Sequence, residues 1–481
     1  MSNKAGGRSL FQNAVFSVIY RLLNILFPLI SSGYVARILT PDGIGRHAAV
    51  QNNVSYFVML GSLGIQAYAT REIAKRKDDK KGRDKLFSEM MIINAFMTVA
   101  AIIIFVVCLV FAPVFKTEIK MYLICSIALL FNFINVDWYF QGTEEFRFIA
   151  IRSFVIKALM LGAVFIFIST PEDLYKYALI CVLANGGNYL INVIYACRTT
   201  RFSFKKTNIK RHLKALVFLA LCAVSSELYA RVDITMLDLF SNNQNVAYYT
   251  YAQKIIFLIV TTVSAITAVF LPRLSYLYET DKEKFNKLTK FGLDLMIFIS
   301  FPAGIGLACV SYPLIDLWLG TDYLFSAFCL IVLALMIPFK CIGDIVCYQV
   351  MLCAGQELKL MISYFIIVAV NFISNLFLIP IIGSLGASIA SLFSEVFGFI
   401  LIFVLAKKYM NFKSDKKNLI KVIISTFFMF VVLVVYEFLV KSVTVSLFGG
   451  VLVGGSFYII LNILFKNRFF TKELLNAIKS R

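Results

Sequence analysis

Long apolar runs alternate with short polar segments along nearly the whole chain. About 20 apolar residues of α-helix cross the roughly 30 Å hydrocarbon core of a bilayer, and these runs reach or exceed that length. The pattern predicts fourteen transmembrane helices, which we number as spans 1 to 14. Their ranges are 10–32, 45–70, 86–112, 119–141, 148–169, 174–197, 213–240, 246–271, 288–311, 323–352, 358–380, 385–406, 419–440 and 443–465. The predicted fold class is an all-α polytopic membrane protein.

Polar residues recur at helical spacing on one face of three spans. Residues three or four apart share a face of a helix. The stripe of span 1 contains Asn13, Ser17, Arg21, Asn24, Pro28 and Ser31. The stripe of span 2 contains Gln51, Ser55, Ser62 and Gln66, and that of span 7 contains Glu227, Arg231, Thr235 and Asp238. We expect these stripes to line a water-filled path, and polar contacts buried between helices are the alternative.

A weak internal repeat divides the spans into two halves. The stretch 142–144 with Arg147, after span 4, recurs as 355–357 with Lys359, after span 10. Spans six apart have the same orientation, so the repeat predicts two pseudo-twofold-related six-helix bundles, and chance similarity is the alternative. The predicted parts are an N-terminal bundle at 1–197, a basic cytoplasmic linker at 198–214, a C-terminal bundle at 215–410, and two extra helices with a basic tail at 411–481.

Charge and composition fix the class of protein and its orientation. The chain has 481 residues, of which 60% are hydrophobic and only 15% charged, too few charges to cover a soluble globule. Of its 47 lysines and arginines, 36 fall on one side of the predicted helices, and the positive-inside rule places that side and both termini in the cytoplasm. Loops that face anionic lipid explain the net charge of +20, so no nucleic-acid partner is expected.

Sequence motifs for enzyme chemistry are missing. The sequence has no G-x-x-x-x-G-K-[ST] loop, no H-E-x-x-H helix and no D-x-D pair. Its ten cysteines form no C-x-x-C motif or pairing ladder, which predicts packing residues without disulfides. The predicted outer loops are short. We therefore expect no catalytic residue, no metal and no cofactor, and a function inside the membrane.

When each loop is counted together with the helix turns that border it, five cations lie deeper within the predicted spans. They are Arg21, Lys157, Arg231, Lys254 and Lys340. A charge at mid-membrane costs several kcal/mol, so each of them needs water, a partner or a route to the headgroups. Arg21 lies about 20 Å along its helix from Arg8, too deep to snorkel easily, and it is the favoured substrate contact. The other four either line a substrate path or bridge helices.

Carboxylates in the spans supply partners for those cations and candidates for ion coupling. Glu227 and Asp344 lie one helical turn from Arg231 and Lys340, and Asp137 is a partner for Lys157 across spans 4 and 5. A carboxylate in a low-dielectric site can carry a proton through a transport cycle. The candidates for that role are Asp137, Glu227, Asp233 and Asp294, with Asp344 and Glu395 also inside spans. His47, at the outer end of span 2, is expected to be solvated.

Three stretches lie at or near the ends of predicted spans. They are Asp137 to Arg147, Leu60 to Gly64 with Ala69 to Ile73, and Ala247 to Tyr249 with Ala252. These stretches resemble Wzx-type O-antigen and polysaccharide flippases, within a superfamily that includes drug exporters and lipid II flippases. The resemblance implies a flippase for undecaprenyl-diphosphate-linked oligosaccharide that works by alternating access in the bacterial inner membrane.

The resemblance also implies site residues and partners. Lipid II flippases of the superfamily carry cavity arginines on their first, second and eighth spans, which correspond to Arg21, Arg46 and Lys254, and lysine lacks the bidentate phosphate geometry of arginine. The implied partners are the lipid-linked oligosaccharide, membrane lipids, and a polysaccharide polymerase with chain-length machinery.

Two other functions stay open at the level of sequence. One is a cation-coupled multidrug antiporter of the same superfamily, and the other is a membrane glycan polymerase or ligase. Arginines inside the membrane favour an anionic cargo over a cationic drug. The short outer loops argue against an enzyme because they cannot house an external catalytic domain.

Overall fold

The computed structural model describes residues 27–62, 64–76, 78–202, 208–268, 270–411, 416–467 and 469–474. Within these ranges the chain is helical and contains no β-strand. The helices of the first half are α1 (Phe27–Ala36), α2 (Pro41–Ser62), α3 (Ile65–Ala74), α4 (Lys80–Phe111), α5 (Pro113–Lys116), α6 (Ile119–Asn132), α7 (Asp137–Gly142), α8 (Phe146–Phe167), α9 (Leu174–Thr199) and α10 (Lys210–Phe240). Those of the second half are α11 (Asn243–Ala268), α12 (Leu271–Thr280), α13 (Lys282–Cys309), α14 (Ser311–Leu319), α15 (Phe325–Ala334), α16 (Ile337–Asp344), α17 (Glu357–Ala406), α18 (Lys416–Leu439) and α19 (Val443–Leu464).

The lengths of the apolar helices agree with a multi-pass membrane protein. In the described ranges, nine helices are long and apolar enough to cross a bilayer, and α15 with its bent continuation makes a tenth. The 50 residues of α17 contain non-helical backbone at Ile382 and Gly383, so this helix comprises two spans. Helices α1, α2 with α3, and α6 with α7 occupy predicted spans 1, 2 and 4. The predicted fold class is confirmed, and the helices are consistent with fourteen spans.

Two glycines permit sharp breaks between helical segments. Gly64, between α2 and α3, has φ 69°, and Gly383, within α17, has φ 56°. Glycine adopts these left-handed conformations without the steric penalty of a Cβ atom. After the second break, the backbone N–H and the hydroxyl of Ser384 donate to Asn245 Oδ1 at 3.2 and 2.8 Å, which satisfies a new helix start.

The chain forms two compact units, and the division falls between Arg231 and Val232, within α10. In the first unit, α2 packs on α4 and α6, α9 packs on α6 and α8, and α3 packs on α7. In the second unit, α11 and α17 pack on α15, and α18 packs on α13 and α19. The bundle and linker boundaries derived from the repeat stay predictions.

Small residues bring helices of the first unit close together. A Cβ atom at Gly186 of α9 would overlap the ring of Phe131 on α6. A Cβ at Gly142 of α7 would lie 2.7 Å from the Ile73 side chain and 2.9 Å from the Thr70 carbonyl oxygen. Such contacts are typical of membrane helices, whose association depends on close packing.

The start of α10 is held to α4 by a buried polar cluster around Glu89. This carboxylate is fully buried, and it accepts hydrogen bonds from Arg211 Nη2 at 2.5 Å and from the Asn208 backbone N–H at 2.8 Å. His212 Nε2 lies 2.9 Å from the same carboxylate, and its Nδ1 lies 2.6 Å from the Tyr68 hydroxyl. The end of the predicted basic linker is therefore anchored to both α3 and α4.

Candidate functional site

A cavity of about 760 Å³ with both apolar and polar lining residues lies within the first unit. Its polar lining residues are Gln51, Ser55, Ser62, Gln66, Thr70, Arg71, Asn132, Gln141, Asn185, Tyr189, Glu227 and Arg231. All four residues of the stripe predicted on span 2 are among them. The volume of the cavity is in the range of sites for small ligands.

One wall of the cavity is formed by residues that recur every four positions along one face of α10. Leu219, Ala223, Glu227 and Arg231 all line it, and they span about 18 Å at 1.5 Å per residue. Helix α2 runs antiparallel to this wall: Asn52 Nδ2 donates to the Arg231 carbonyl oxygen at 3.4 Å, while a Cβ at Gly64 would lie 2.8 Å from the backbone nitrogen of Ala220. The two helices therefore bound the cavity over several turns.

An ion pair lies at the end of the cavity nearest Asn52. Arg231 Nε is 2.7 Å from Glu227 Oε2, and both side chains are partly exposed, at 33% and 44%. The sequence predicted this local pair from the spacing of one helical turn, and it placed both residues on the polar stripe of span 7. The pair leaves the arginine at the cavity surface instead of buried between helices.

A second arginine, Arg71 of α3, lines the cavity and was missed by the sequence argument. Its side chain is 57% exposed, its Nε lies 4.0 Å from Glu72 Oε1, and its guanidinium is 6.0 Å from the centroid of the Tyr68 ring. Because Arg71 directly follows span 2, the count of cations in the loops assigned it to a cytoplasmic loop. The signal that could have found it is the continuation of the span 2 stripe past Gln66 to Thr70.

Arg152 of α8 is a second cation that the sequence analysis counted with a cytoplasmic loop, because it lies in the helix turn that borders the loop. Its side chain is only 2% exposed, and its Nη1 lies 3.3 Å from Asp137 Oδ1. Its Nε donates to Asn188 Oδ1 at 3.1 Å, and Asn192 also donates to Asp137. The sequence proposed Lys157 as the partner of Asp137, whereas the ion pair in the structure is with Arg152.

The remaining predicted cations of the first unit lie away from the lining of this cavity. Arg46 Nε lies 3.4 Å from Glu118 and 3.8 Å from Asp42, and Lys157 is buried within α8 at 7% exposure. Arg21 lies outside the described residues. The expectation for His47 was wrong: it is 6% exposed and its ring packs on Tyr177 with centroids 5.1 Å apart.

Two predicted cations lie in the second unit, each with a contact. Lys254 places its Nζ 4.7 Å from the centroid of the Tyr251 ring. Lys340 Nζ lies 3.2 Å from Glu395 Oε2, on the neighbouring helix α17. Asp344, which the sequence proposed as the partner of Lys340, accepts a hydrogen bond from the Ser264 hydroxyl at 2.7 Å.

Asp233 and Asp294, two candidates for ion coupling, have different environments in the second unit. Asp233 is 3% exposed and accepts hydrogen bonds from the Tyr249 hydroxyl at 2.6 Å, the Ser391 hydroxyl at 2.9 Å and Asn375 Nδ2 at 2.6 Å. These donors are all neutral. Asp294 Oδ2 instead lies 3.5 Å from Lys290 Nζ, one turn away on α13.

Comparison with known proteins places the chain in a family. Residues 10–278, more than half of the sequence, match the family described as polysaccharide biosynthesis protein. The chain belongs to this family.

Relatives of this family member cover most of the chain at low identity. A protein named "Putative O-antigen transporter" from Escherichia coli (strain K12) is 23% identical over 412 residues, which are 84% of this chain and 98% of the relative. One of the same name from Shigella dysenteriae is 25% identical over 381 residues, 78% of this chain and 94% of the relative. These relatives confirm the resemblance seen at the ends of spans 2, 4 and 8.

Solved structures of transporters share the fold of this family member. The lipid II flippase MurJ in an inward closed conformation superposes with a TM-score of 0.76 at 16% identity, over 95% of this chain and 99% of that one. An inward-facing multidrug resistance MATE transporter of the MOP superfamily gives 0.62 at 16% identity, over 82% and 97%. The relatives and structures named here are transporters or flippases, in agreement with the prediction of a transport protein and not an enzyme.

Proposed function

We propose that the chain is a flippase that moves undecaprenyl-diphosphate-linked oligosaccharide repeat units from the cytoplasmic to the outer leaflet by alternating access. The observation that carries the proposal is the cavity of the first unit, with Arg71 and Arg231 in its wall. Family membership and relatives named for O-antigen transport support the choice of cargo.

The charges around the cavity favour an anionic cargo. Its described lining contains two arginines and one glutamate, and the glutamate, Glu227, is paired with Arg231. A cationic drug would therefore meet no unpaired carboxylate among these residues, whereas a diphosphate could bind a guanidinium in bidentate geometry. This argument places the multidrug antiporter second.

The membrane potential is large enough to drive the proposed step. Moving one elementary charge across a membrane is worth about 2.3 kcal/mol per 100 mV. Two negative charges that move outward down an inside-negative potential of about 100 mV gain roughly 4 to 5 kcal/mol. Export of a diphosphate lipid is thus favourable without a coupled ion.

In this proposal, the predicted site residues differ in the support that the geometry gives them. Arg231 is the predicted substrate contact that lines the cavity, and Arg71 joins it. The remaining candidates for the substrate path are Arg21, Arg46, Lys157, Lys254 and Lys340. For ion coupling we favour Asp233 over Asp137, Glu227 and Asp294, because its recorded hydrogen bonds come from neutral donors, while the other three each have a basic residue within 4 Å.

The proposed setting is the bacterial inner membrane, with both termini in the cytoplasm and with a polysaccharide polymerase and chain-length machinery as further partners. The sorting of cations supports this orientation. A green fluorescent protein fused after Arg481 should fluoresce, because it folds in the cytoplasm, and an alkaline phosphatase fused there should be inactive. The reverse pattern would overturn the orientation.

Reconstitution tests the function directly. Purified protein is placed in vesicles with an undecaprenyl-diphosphate trisaccharide that carries a fluorophore on the glycan, and a membrane-impermeant quencher reports the leaflet. We expect the chain to speed exchange of this lipid between leaflets, and Arg231→Ala to slow it about tenfold or more, as expected for loss of a charged hydrogen bond. Movement of a cationic dye without movement of the glycan lipid would overturn the proposal.

A further inference from the structure

Three glutamine side chains in the cavity wall have unused hydrogen-bonding capacity. Gln51 of α2, Gln66 of α3 and Gln141 of α7 line the cavity, and their side-chain amides make no hydrogen bond within the described parts of the chain. Asn132, in the same wall, differs: its amide donates to Thr98 at 2.8 Å and accepts from Ser62 at 3.0 Å. The wall therefore contains both a structural amide and open ones.

The open amides are uncharged groups that lie along the wall near its charged residues. The Glu227–Arg231 pair lies near Asn52, and Arg71 follows Gln66 and Thr70 along the other part of the lining. An amide offers two donors and two acceptors without charge. These groups match hydroxyl and acetamido groups, which also donate and accept, better than they match a diphosphate.

Aromatic and amide groups of the facing helices complete this surface. Tyr189 and Asn185 of α9 and Phe131 of α6 line the same cavity. Among the described residues, the Asn185 amide donates at 3.3 Å to the Cys181 carbonyl oxygen of its own helix, and its own oxygen faces no donor there. Sugar rings present apolar C–H faces between their hydroxyls, and aromatic rings pack against such faces.

We infer that this wall binds the glycan of the cargo, with Gln51, Gln66 and Gln141 as residues that determine glycan preference. The inference rests on the proposed flippase function and adds which part of the cargo this wall recognises. A site built to hydrogen-bond hydroxyl groups rejects a ligand that lacks them, because its own polar groups then lose their partners. The chain should therefore prefer a glycosylated diphosphate lipid to the same lipid without sugars.

Two probes separate glycan recognition from general transport. One is undecaprenyl-diphosphate with a fluorescent trisaccharide, and the other carries the fluorophore in place of the glycan. We expect the wild-type chain to move the trisaccharide lipid roughly tenfold faster or more. Gln66→Met and Gln141→Met should lower the rate for the trisaccharide lipid toward that of the sugar-free lipid, and leave the sugar-free rate within about twofold.

A matched control and a folding check keep the test decisive. Gln244→Met changes an exposed glutamine at the start of α11, outside the cavity lining, and should alter neither rate. Any Gln→Met variant that melts earlier than wild type is replaced by the Gln→Ala variant. Equal slowing of both probes, or slowing of neither, would overturn the glycan site. A wild-type chain that moves neither probe would instead overturn the proposed function.

Discussion

Arg152 and Asp137 form a buried ion pair between α8 and α7, with Nη1 and Oδ1 3.3 Å apart. The arginine side chain is 2% exposed and that of the aspartate 13%, so the pair is largely withdrawn from water. Asn188 and Asn192 of α9 hydrogen-bond one partner each. The pair therefore ties three helices of the first unit together.

Removal of the arginine should destabilise the protein strongly. Breaking a buried pair by deleting one partner leaves the other charge uncompensated, at a cost of about 3 to 5 kcal/mol. We expect Arg152→Met to lose about 3 kcal/mol, because Asp137 keeps some exposure and its bond from Asn192. Thermal unfolding in detergent micelles measures the change.

The exposed pair of Glu283 and Lys287 provides the control for this experiment. Its atoms are 2.5 Å apart, but its side chains are 79% and 73% exposed. Surface pairs are worth about 1 kcal/mol or less, so Lys287→Met should shift the melting temperature much less. Equal shifts for the two variants would show that burial does not set the strength of the Arg152 pair.

The Glu227–Arg231 pair can be tested by exchange of its charges. A purely structural pair should function in either order, so Glu227→Arg combined with Arg231→Glu should keep both stability and transport. A guanidinium that binds an anion must instead lie at its own position. The proposed function therefore predicts that the exchanged variant keeps its stability within about 1 kcal/mol. Its transport rate should fall about tenfold or more. Retained transport in the exchanged variant would make the pair structural only.

Glu72 should make the stability of the C-terminal end of α3 dependent on pH. Burial raises the pKa of its carboxyl, but hydrogen bonds from Lys75 at 2.8 Å and Arg76 at 2.6 Å outweigh burial and lower the pKa below its ordinary value. A lowered folded-state pKa means stability that is present above the unfolded pKa and lost as pH falls through the folded one. The partly exposed partners limit this contribution to less than about 1 kcal/mol.

The Glu72→Gln variant isolates this contribution. Wild type should melt slightly above Glu72→Gln at pH 7, and the difference should shrink as pH falls below the ordinary glutamate pKa of about 4.3 and vanish below the lowered folded-state pKa. Melting curves of both proteins at several pH values measure it. A difference that stays constant down to pH 3 would contradict the assignment to ionisation of Glu72.

Sequence periodicity predicted one cavity wall because residues at helical spacing share a face whatever the helix packs against. Gln51, Ser55 and Ser62 line the cavity from α2 as this rule put them, and Gln66 lines it from α3, beyond the break at Gly64. Local spacing failed where partners come from distant helices. Lys340 contacts Glu395, 55 residues away, because α16 packs on α17.

The buried role of Arg152 was invisible for a related reason. Its position six residues from the start of α8 resembles that of a loop cation, and only the packing of α9 supplies the asparagines that surround it. Arg71 was assigned to a loop in the same way. Counting the charges of each loop identifies the side of the membrane on which the loop lies. It does not distinguish a cation that faces water from one that points toward a cavity or contacts another helix.

Gly186 offers a test of the packing that shapes the cavity. Gly186 and Phe131 both line it, and a methyl group at Gly186 would overlap the Phe131 ring. Gly186→Ala should therefore push α9 from α6 or turn the ring into the cavity, with a loss of about 1 to 3 kcal/mol typical of overpacking and slower transport.

Gly162→Ala on α8 is the control, since a Cβ there meets nothing within 4 Å. That change should stabilise the helix by about 0.5 to 1 kcal/mol or be neutral, as alanine is favoured over glycine within helices. Melting temperatures and transport rates of the two variants measure both effects. Similar behaviour of the two would mean that the contact between Gly186 and Phe131 does not constrain the cavity.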